Sequence, residues 1–415
     1  MIYNKYKKNK LFFLLLLFLC SLIFLGIYFC FINNYGWDWD TYVMINTYLN
    51  ILEEGNYIRS RGAGYIVPEI GIGFLSLYLG SFAANITSLF FLIFGLIFLY
   101  KSFFKVMQKN LYLSSTKYNE LLIIFLLVCL SNHVVFRDST IPMDYSWSFL
   151  FYSLGFYFII NKKIELSIIF FSLCFGSRFN FIVFILPTIL FLSQSFVDNK
   201  KKILISFIII TYGGLFYLPS WLQAKFSLDF IFSPQWYYAF KPAGALSIDD
   251  FARFLQKTIS TLGLFFLITV SFILIINKKK ILIIFKNYKI QITLILINLI
   301  IFFFFPWEPS FLWILIFALN FILVTFFKRK ILYILILINL FTWFYEAKII
   351  KVEYVNYGCS KDPIEAKFKL NFEKGIMLTV SERQYQTNCY PDLLGKNNKI
   401  IKYKKQFAKG SRLLN

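Results

Sequence analysis

Two aspartates one residue apart, Asp38 and Asp40, are the clearest pair of groups for chemistry in this chain. They lie in the stretch GWDWDTY, directly after the first long apolar run. A carboxylate in such a place can take a proton from an attacking hydroxyl, and two carboxylates can hold a divalent cation that screens a phosphate leaving group. The pair therefore predicts a general base, with a Mg²⁺ or Mn²⁺ site as an alternative. Solvated charges at a helix end are the competing structural explanation.

A second polar stretch, RSRGAGYIVPE, runs from Arg59 to Glu69. The planar guanidinium groups of Arg59 and Arg61 can each donate two hydrogen bonds to phosphate oxygens. The glycines that follow leave the backbone free to turn close to a ligand. The pattern predicts a phosphate-binding loop, and Tyr65 and Glu69 are further candidates for the same site.

Other charged residues occur singly, beside or between apolar runs. Arg178 lies between two short runs and is a third candidate for phosphate, with snorkelling towards the membrane surface as its structural explanation. Asp138 and Glu308 lie in short polar turns and are additional candidates. His133 is the only histidine, so a zinc site built from several histidines is excluded and a Ser-His-Asp triad is disfavoured. For His133 itself, a structural role is favoured over a catalytic one.

The segments that must position these residues are strongly apolar. Hydrophobic residues make up 59% of the 415 residues and charged residues 15%, and apolar runs near the length of a hydrocarbon core recur along the chain. The net charge of +22 comes largely from lysines between these runs, which is typical of membrane topology and not of nucleic-acid binding. The sequence predicts an all-α, polytopic membrane protein whose first apolar run is retained in the mature chain.

The lysine distribution places the N-terminus in the cytoplasm and the Asp38/Asp40 loop outside. Two stretches of that loop, Tyr42–Leu52 and Val67–Leu79, are predicted to be helices lying in the interface. About eleven crossings are predicted. They cover residues 11–32, 82–101, 119–136, 144–160, 164–177, 179–196, 203–219, 259–277, 290–305, 310–327 and 331–345.

The chain is predicted to divide into a membrane domain, residues 1–345, and a small extracytoplasmic tail, residues 346–415. The tail is more polar than the preceding sequence and contains Cys359 and Cys389, the two cysteines outside apolar helices. An even pair on the oxidising side of the membrane predicts a disulfide between them.

The order of the motifs resembles that of the GT-C superfamily of integral-membrane glycosyltransferases. The resemblance rests on the acidic pair after the first helix and on the stretch from Arg59 to Glu69. Further along, GSRF at residues 176–179 and PWEP at residues 306–309 are also similar to bacterial members. The likeness in layout extends over residues 1–330.

The resemblance implies transfer of a sugar from a polyprenyl-phosphate donor to a hydroxyl of a glycan, lipid or protein, in envelope glycan or glycolipid assembly. The site would face outward from a bacterial inner membrane. An acidic residue of the first loop would act as the base, and we favour Asp38 over Asp40 because it lies closer to the helix end. Arg59, Arg61 or Arg178 would hold the lipid phosphate.

Two other functions are compatible with a chain of this kind. An envelope polysaccharide polymerase or ligase would depend mainly on arginines of outer loops and would not need the aspartate pair. A lipid or solute transporter would need polar groups at the bilayer midplane or an inverted repeat, and neither is clear in the sequence.

Overall fold

The computed structural model describes residues 2–33, 35, 39–60, 64–107, 115–223, 225–226, 248–304, 309–357 and 360–374. Nearly all of these residues up to Phe341 are helical, which confirms the predicted helical class. The helices are α1 (Ile2–Ile32), α2 (Trp39–Glu54), α3 (Ile66–Met107), α4 (Ser115–Leu130), α5 (His133–Ser139), α6 (Asp144–Ile160), α7 (Ile164–Ser177), α8 (Ile182–Leu190), α9 (Asn199–Leu215), α10 (Leu218–Gln223), α11 (Ile248–Leu262), α12 (Leu264–Ile276), α13 (Lys278–Asn287), α14 (Lys289–Phe304), α15 (Trp313–Phe326) and α16 (Arg329–Phe341). Short 3₁₀ turns, Phe179–Phe181 and Pro309–Leu312, precede α8 and α15.

After the last helix the chain forms a long β-hairpin, which was not predicted. Strand β1 (Tyr345–Tyr357) pairs antiparallel with β2 (Ser360–Lys374), with Tyr345 opposite Lys374 and Tyr357 opposite Ser360. The hairpin begins where the sequence becomes polar. The division of the chain at residue 345 and the extracytoplasmic location of the tail stay predictions.

Helices of membrane-spanning length are present among the described residues. Lys10–Ile32 and Ile66–Met107 are each long and apolar enough to cross a bilayer. The number rises to four if two sharply bent helix pairs each count as one span. These findings are consistent with a membrane protein, whereas the arrangement with eleven crossings stays a prediction.

The bends occur where unbroken helices were predicted. In place of a helix over 119–136, Lys117–Leu130 meets His133–Ser139 at 84°. In place of a helix over 259–277, Phe254–Leu262 meets Leu264–Ile276 at 85°. Both predictions of a continuous helix were therefore wrong.

Each break has a local physical cause. Asn132 caps α5, because its side-chain oxygen accepts a hydrogen bond from the backbone N–H of Val135 at 3.0 Å, and asparagine is a favoured N-cap. Gly263 has φ 83°, a left-handed conformation that glycine adopts without the usual steric cost. The Nδ2 group of Asn132 also donates to the carbonyl of Thr261 at 2.8 Å, so the two breaks lie against each other.

A third helix irregularity, after the two breaks described above, lies within α3 at Gly80, where φ is 82° and ψ is 178°. The helices predicted over 67–79 and 82–101 both lie in α3, and Gly80 separates them. The other helix predicted in the first loop, Tyr42–Leu52, lies within α2. Their location in the membrane interface stays a prediction.

Aromatic rings fill the contacts between α3, α6 and α15. The ring centroids of Phe149 and Phe317 are 4.6 Å apart, and those of Phe103 and Phe321 are 5.0 Å apart. All four rings are almost fully buried. Large apolar side chains also cover the outside of the helices, as at Phe207, which is 67% exposed. An apolar exterior around a packed interior is typical of a protein surrounded by lipid.

Candidate functional site

Glu69 lies in the first turn of α3, has no exposed surface and accepts hydrogen bonds through both carboxylate oxygens. The Oε1 atom accepts from the backbone N–H of Ser60 at 3.1 Å and from that of Tyr65 at 3.0 Å. It also accepts from the Ser60 hydroxyl. The Oε2 atom accepts from the Tyr57 hydroxyl at 2.8 Å. All these partners belong to the segment between α2 and α3.

These bonds fit an ionised Glu69, because a carboxylate accepts hydrogen bonds and cannot donate them. Such bonds offset the cost of burying the charge. Burial, followed by the charge of Glu69, raises the pKa of Tyr57 well above its ordinary value of 10.0. The phenol therefore keeps its proton at neutral pH and can donate it to the carboxylate.

The same segment is also attached to α10. The backbone N–H of Arg59 donates to Oε1 of Gln223 at 3.2 Å, and the hydroxyls of Tyr57 and Ser220 are 3.3 Å apart. The Arg59 side chain is half-buried. The predicted phosphate-binding stretch is thus held between α3 and α10 at Arg59, whereas Arg61 lies outside the described residues.

A buried ion pair joins Arg178, which follows α7, to Asp144, the first residue of α6. Nη1 of Arg178 is 2.9 Å from Oδ1 of Asp144, and the two side chains are 5% and 1% exposed. The first turn of a helix favours a negative charge, which suits Asp144. The guanidinium lies 3.6 Å from the ring centre of Tyr145, 5.1 Å from that of Phe311 and 5.8 Å from that of Tyr65. Among the described residues, Arg178 is therefore surrounded by the carboxylate of Asp144 and by three aromatic rings.

Asp138 is the third buried acid of this region. Its Oδ1 accepts from Nε of Arg137 at 2.8 Å, and its Oδ2 accepts from the hydroxyl of Ser310 at 2.7 Å. Asp138 belongs to α5, whereas Ser310 belongs to the turn before α15. The aspartate therefore joins two segments that are far apart in sequence.

Two aromatic residues, Tyr65 and Phe311, connect these groups to one another. Tyr65 donates its backbone N–H to Glu69 and places its ring near Arg178. Phe311 lies near Arg178 and directly follows Ser310, which binds Asp138. We refer to the whole set as the polar layer. Its members are Glu69, Tyr65, Arg178, Asp144, Tyr145, Phe311, Ser310 and Asp138.

Four of the residues predicted as site candidates meet in the polar layer. They are Tyr65, Glu69, Asp138 and Arg178. Asp38 and Glu308 lie outside the described residues, and for Asp40 only the helical backbone is described.

The start of α2 can nevertheless be located relative to the polar layer. Thr41, the residue after Asp40, is buried, and its hydroxyl donates to the carbonyl of Pro142 at 3.1 Å. The Asn33 side chain, before α2, donates to the hydroxyl of Thr140 at 2.8 Å. Residues 140–142 lead directly into Asp144. The backbone that carries Asp40 is therefore close to the Asp144 end of the layer.

Asp144 and Tyr57 are the main members of this region that the sequence did not reveal as site candidates. A usable signal existed for Asp144, since a buried arginine such as Arg178 requires an acidic partner. The sequence does not show which acid that is. For Tyr57, no pattern indicated that it would bind Glu69.

His133 is not a member of the polar layer and is the first residue of α5, directly after Asn132 at the helix break. Its Nδ1 is 3.0 Å from the hydroxyl of Thr342, which itself donates to the carbonyl of Asn339 at 2.6 Å. The hydroxyl must therefore accept from Nδ1–H. This contact is consistent with the structural role favoured for His133.

Among the residues that the structure describes, no group of three or more histidine, cysteine or acidic side chains could hold a metal ion. The Asp38 and Asp40 side chains, proposed for Mg²⁺ or Mn²⁺, are not among those described. Comparison of the chain with protein-family models, with curated proteins and with solved structures found no match.

Proposed function

We propose that this protein is a membrane glycosyltransferase that moves a sugar from a polyprenyl-phosphate donor to an acceptor hydroxyl. The observation that carries the proposal is the polar layer, in which residues of the first loop meet Arg178 and Asp138. Buried ionisable groups among apolar helices are costly and commonly mark functional sites. A site beside the membrane surface also suits a donor whose phosphate is anchored by a lipid chain.

The proposed setting is a bacterial inner membrane crossed about eleven times. The N-terminus would be cytoplasmic, and the polar layer would lie towards the extracytoplasmic face. The lysine-rich turns between apolar runs support this orientation.

In the proposed reaction, Asp38 takes the proton of the acceptor hydroxyl, with Asp40 as the alternative base. The acceptor oxygen then bonds to the anomeric carbon of the sugar. The bond from that carbon to the phosphate oxygen breaks, and polyprenyl phosphate leaves with the electron pair. The hydrogen bond from Thr41 to Pro142 supports this role, because it brings the start of α2 to the polar layer. A Mg²⁺ or Mn²⁺ ion held by both aspartates remains the alternative mechanism.

Arg59 and Arg61 are proposed to hold the donor phosphate. Cations at the phosphate stabilise the charge that develops on the leaving group. For Arg178 the geometry supports a different role, since Asp144 and aromatic rings enclose its guanidinium. We therefore propose that Arg178 holds the polar layer together and does not contact phosphate directly.

The decisive test is sugar transfer by the purified protein. Defined polyprenyl-phosphate donors carrying labelled sugars would be incubated with candidate glycan and lipid acceptors. Labelled product and an equal amount of released polyprenyl phosphate are expected. Absence of transfer from every donor, with protein shown to be folded, would contradict the proposal. Transfer that survives the loss of both Asp38 and Asp40 would instead support the polymerase or ligase alternative.

One observation favours the transporter alternative. Discontinuous helices often form binding sites in transporters, and here two sharply bent helix pairs touch through Asn132 and Thr261. A small cleft beside this contact is lined by His133, Ser260 and Thr342, among other residues. Movement of a labelled lipid or sugar across proteoliposomes, without any bond being broken, would support transport over transfer.

A further inference from the structure

We infer that Glu69 is a positioning residue whose carboxylate fixes the arginine loop, which we define as the described residues 57–60 and 64–65. Glu69 would act through this loop and would not itself take a proton from the acceptor. The inference rests on the proposed function only where it names phosphate as the ligand of the loop. Its structural part can be tested without any assay of sugar transfer.

The carboxylate of Glu69 accepts hydrogen bonds from three residues along the arginine loop. Glu69 is bonded to Tyr57 at the start of the loop, to Ser60 near its middle and to Tyr65 at its end. Arg59 and Arg61 are the neighbours of Ser60 in sequence. Because Glu69 holds both the backbone and the hydroxyl of Ser60, it restricts the backbone next to Arg59.

Burial and hydrogen bonding leave Glu69 without access to a substrate hydroxyl. A general base needs a lone pair that faces the hydroxyl of the substrate. Glu69 accepts four hydrogen bonds, three at Oε1 from Ser60 and Tyr65 and one at Oε2 from Tyr57. The side chain also has no exposed surface. Both oxygens therefore serve as buried hydrogen-bond acceptors that order the loop.

Replacing Glu69 with glutamine separates a positioning role from a catalytic role. In Glu69→Gln, the amide oxygen can take the place of Oε1 and accept from Ser60 and Tyr65. The amide NH₂ then replaces Oε2 and donates to the oxygen of Tyr57. Tyr57 can turn its own proton towards Ser220, whose hydroxyl is 3.3 Å away. Glutamine thus preserves the loop but removes the charge, whereas alanine removes both.

The test uses trypsin on the purified full-length protein, followed by mass spectrometry of the bond between Arg59 and Ser60. Cleavage of a local segment follows the population of its open form. Glu69→Ala is expected to raise the cleavage rate by at least about tenfold, since it releases several hydrogen bonds to a charged group. Glu69→Gln should be cleaved within about threefold of the wild-type rate. The control is Glu54→Ala, which removes an exposed acid at the end of α2.

The functional arm measures binding of farnesyl monophosphate, a short isoprenoid phosphate, and the kinetics of transfer. Glu69→Ala should weaken this binding and raise KM for the donor far more than it lowers kcat, whereas Glu69→Gln should resemble the wild type in both. If farnesyl phosphate does not bind the wild type, the proposed function fails while the cleavage result still decides the role of Glu69.

Two results would overturn the inference. One is equal cleavage of wild type and Glu69→Ala, because Glu69 would then not hold the loop. The other is Glu69→Gln that resists trypsin like the wild type but transfers sugar as poorly as Glu69→Ala, since the charge itself would then be required. If Glu69→Ala does not fold, the double variant Tyr57→Phe with Ser60→Ala replaces it, because it removes two donors and keeps the carboxylate.

Discussion

Arg178 and Asp144 form an ion pair 2.9 Å long between the end of α7 and the start of α6, with both side chains buried. The rings of Tyr145 and Phe311 shield the guanidinium further. Each charge is costly to bury alone, so the pair is stable only as a unit.

Removing one partner of this pair should therefore be more harmful than removing both. We expect Asp144→Ala and Arg178→Ala each to destabilise the protein by about 3–5 kcal/mol. The double replacement Asp144→Leu with Arg178→Met should cost less than either single change, because no unpaired charge remains. Unfolding of the purified protein in detergent, followed as a double-mutant cycle, measures these differences.

The pair between Arg329 and Glu120 provides the matched control. It is 2.6 Å long, but its side chains are 34% and 13% exposed. Loss of Glu120 should cost only about 0–1 kcal/mol, because solvent screens a partly exposed pair. Equal losses at Asp144 and Glu120 would show that burial does not distinguish the two ion pairs.

The aspartates of the first loop should control the rate of transfer. We expect Asp38→Ala to lower kcat by about a hundredfold to ten-thousandfold, the usual effect of losing a general base. Asp40→Ala should have a smaller effect. Activity that survives EDTA would favour a base over a Mg²⁺ or Mn²⁺ site. Wild-type rates in both variants, with normal insertion, would place the site elsewhere.

Reporter fusions test the proposed topology. A reporter that is active only outside the cytoplasm should be active after Asn415, and a cytoplasmic reporter should be active after Lys202, because lysine-rich turns stay inside. A cytoplasmic C-terminus would contradict eleven crossings. The error would then be expected in the predicted pair 164–177 and 179–196.

The predicted disulfide between Cys359 and Cys389 lies outside the described residues and can be tested by alkylation. Without reductant, neither residue should react, and both should react after reduction of the unfolded chain. Cys20, Cys30, Cys129 and Cys174 are free in the described part of the structure and act as internal standards in the unfolded chain. Labelling of both tail cysteines without reductant would exclude the bond.

Asn132 should stabilise both helix breaks at once. Asn132→Ala removes the cap on Val135 and the bond to Thr261, and we expect a loss of about 1–3 kcal/mol. Asn132→Ser keeps an oxygen for the cap but lacks the amide group that donates to Thr261, so its loss should be smaller. Denaturant unfolding of the two variants measures the difference. Equal stability of the alanine and serine variants would show that the cap contributes little.

The sequence predicted the helical elements well where apolar runs end at clear polar turns. The predicted bounds 144–160 and 164–177 agree with α6 and α7. The prediction failed at Asn132 and Gly263, because one capping side chain or one backbone angle can bend a helix without changing the apolar pattern. Periodicity does not report such local geometry.

The sequence indicated several residues of the candidate site, but not which of its residues contact one another. Charged residues near apolar helices are energetically costly and are often functional. On this ground the sequence pointed to Arg178, Glu69 and Asp138. Their partners come from segments far apart in sequence, as Ser310 does for Asp138. Only the folded structure shows that Glu69 accepts its hydrogen bonds from its own loop.

The irregularity at Gly80 has a consequence for the response of the protein to bilayer thickness. Residues 81–107 form about 40 Å of helix, which exceeds a hydrocarbon core of about 30 Å. A helix of that length adapts to thinner or thicker lipid by tilting. Because Gly80 interrupts the helix, this tilt need not be passed on to the turn that carries Glu69. We therefore expect lipids of different chain length to change the inclination of residues 81–107 while the contacts of Glu69 persist.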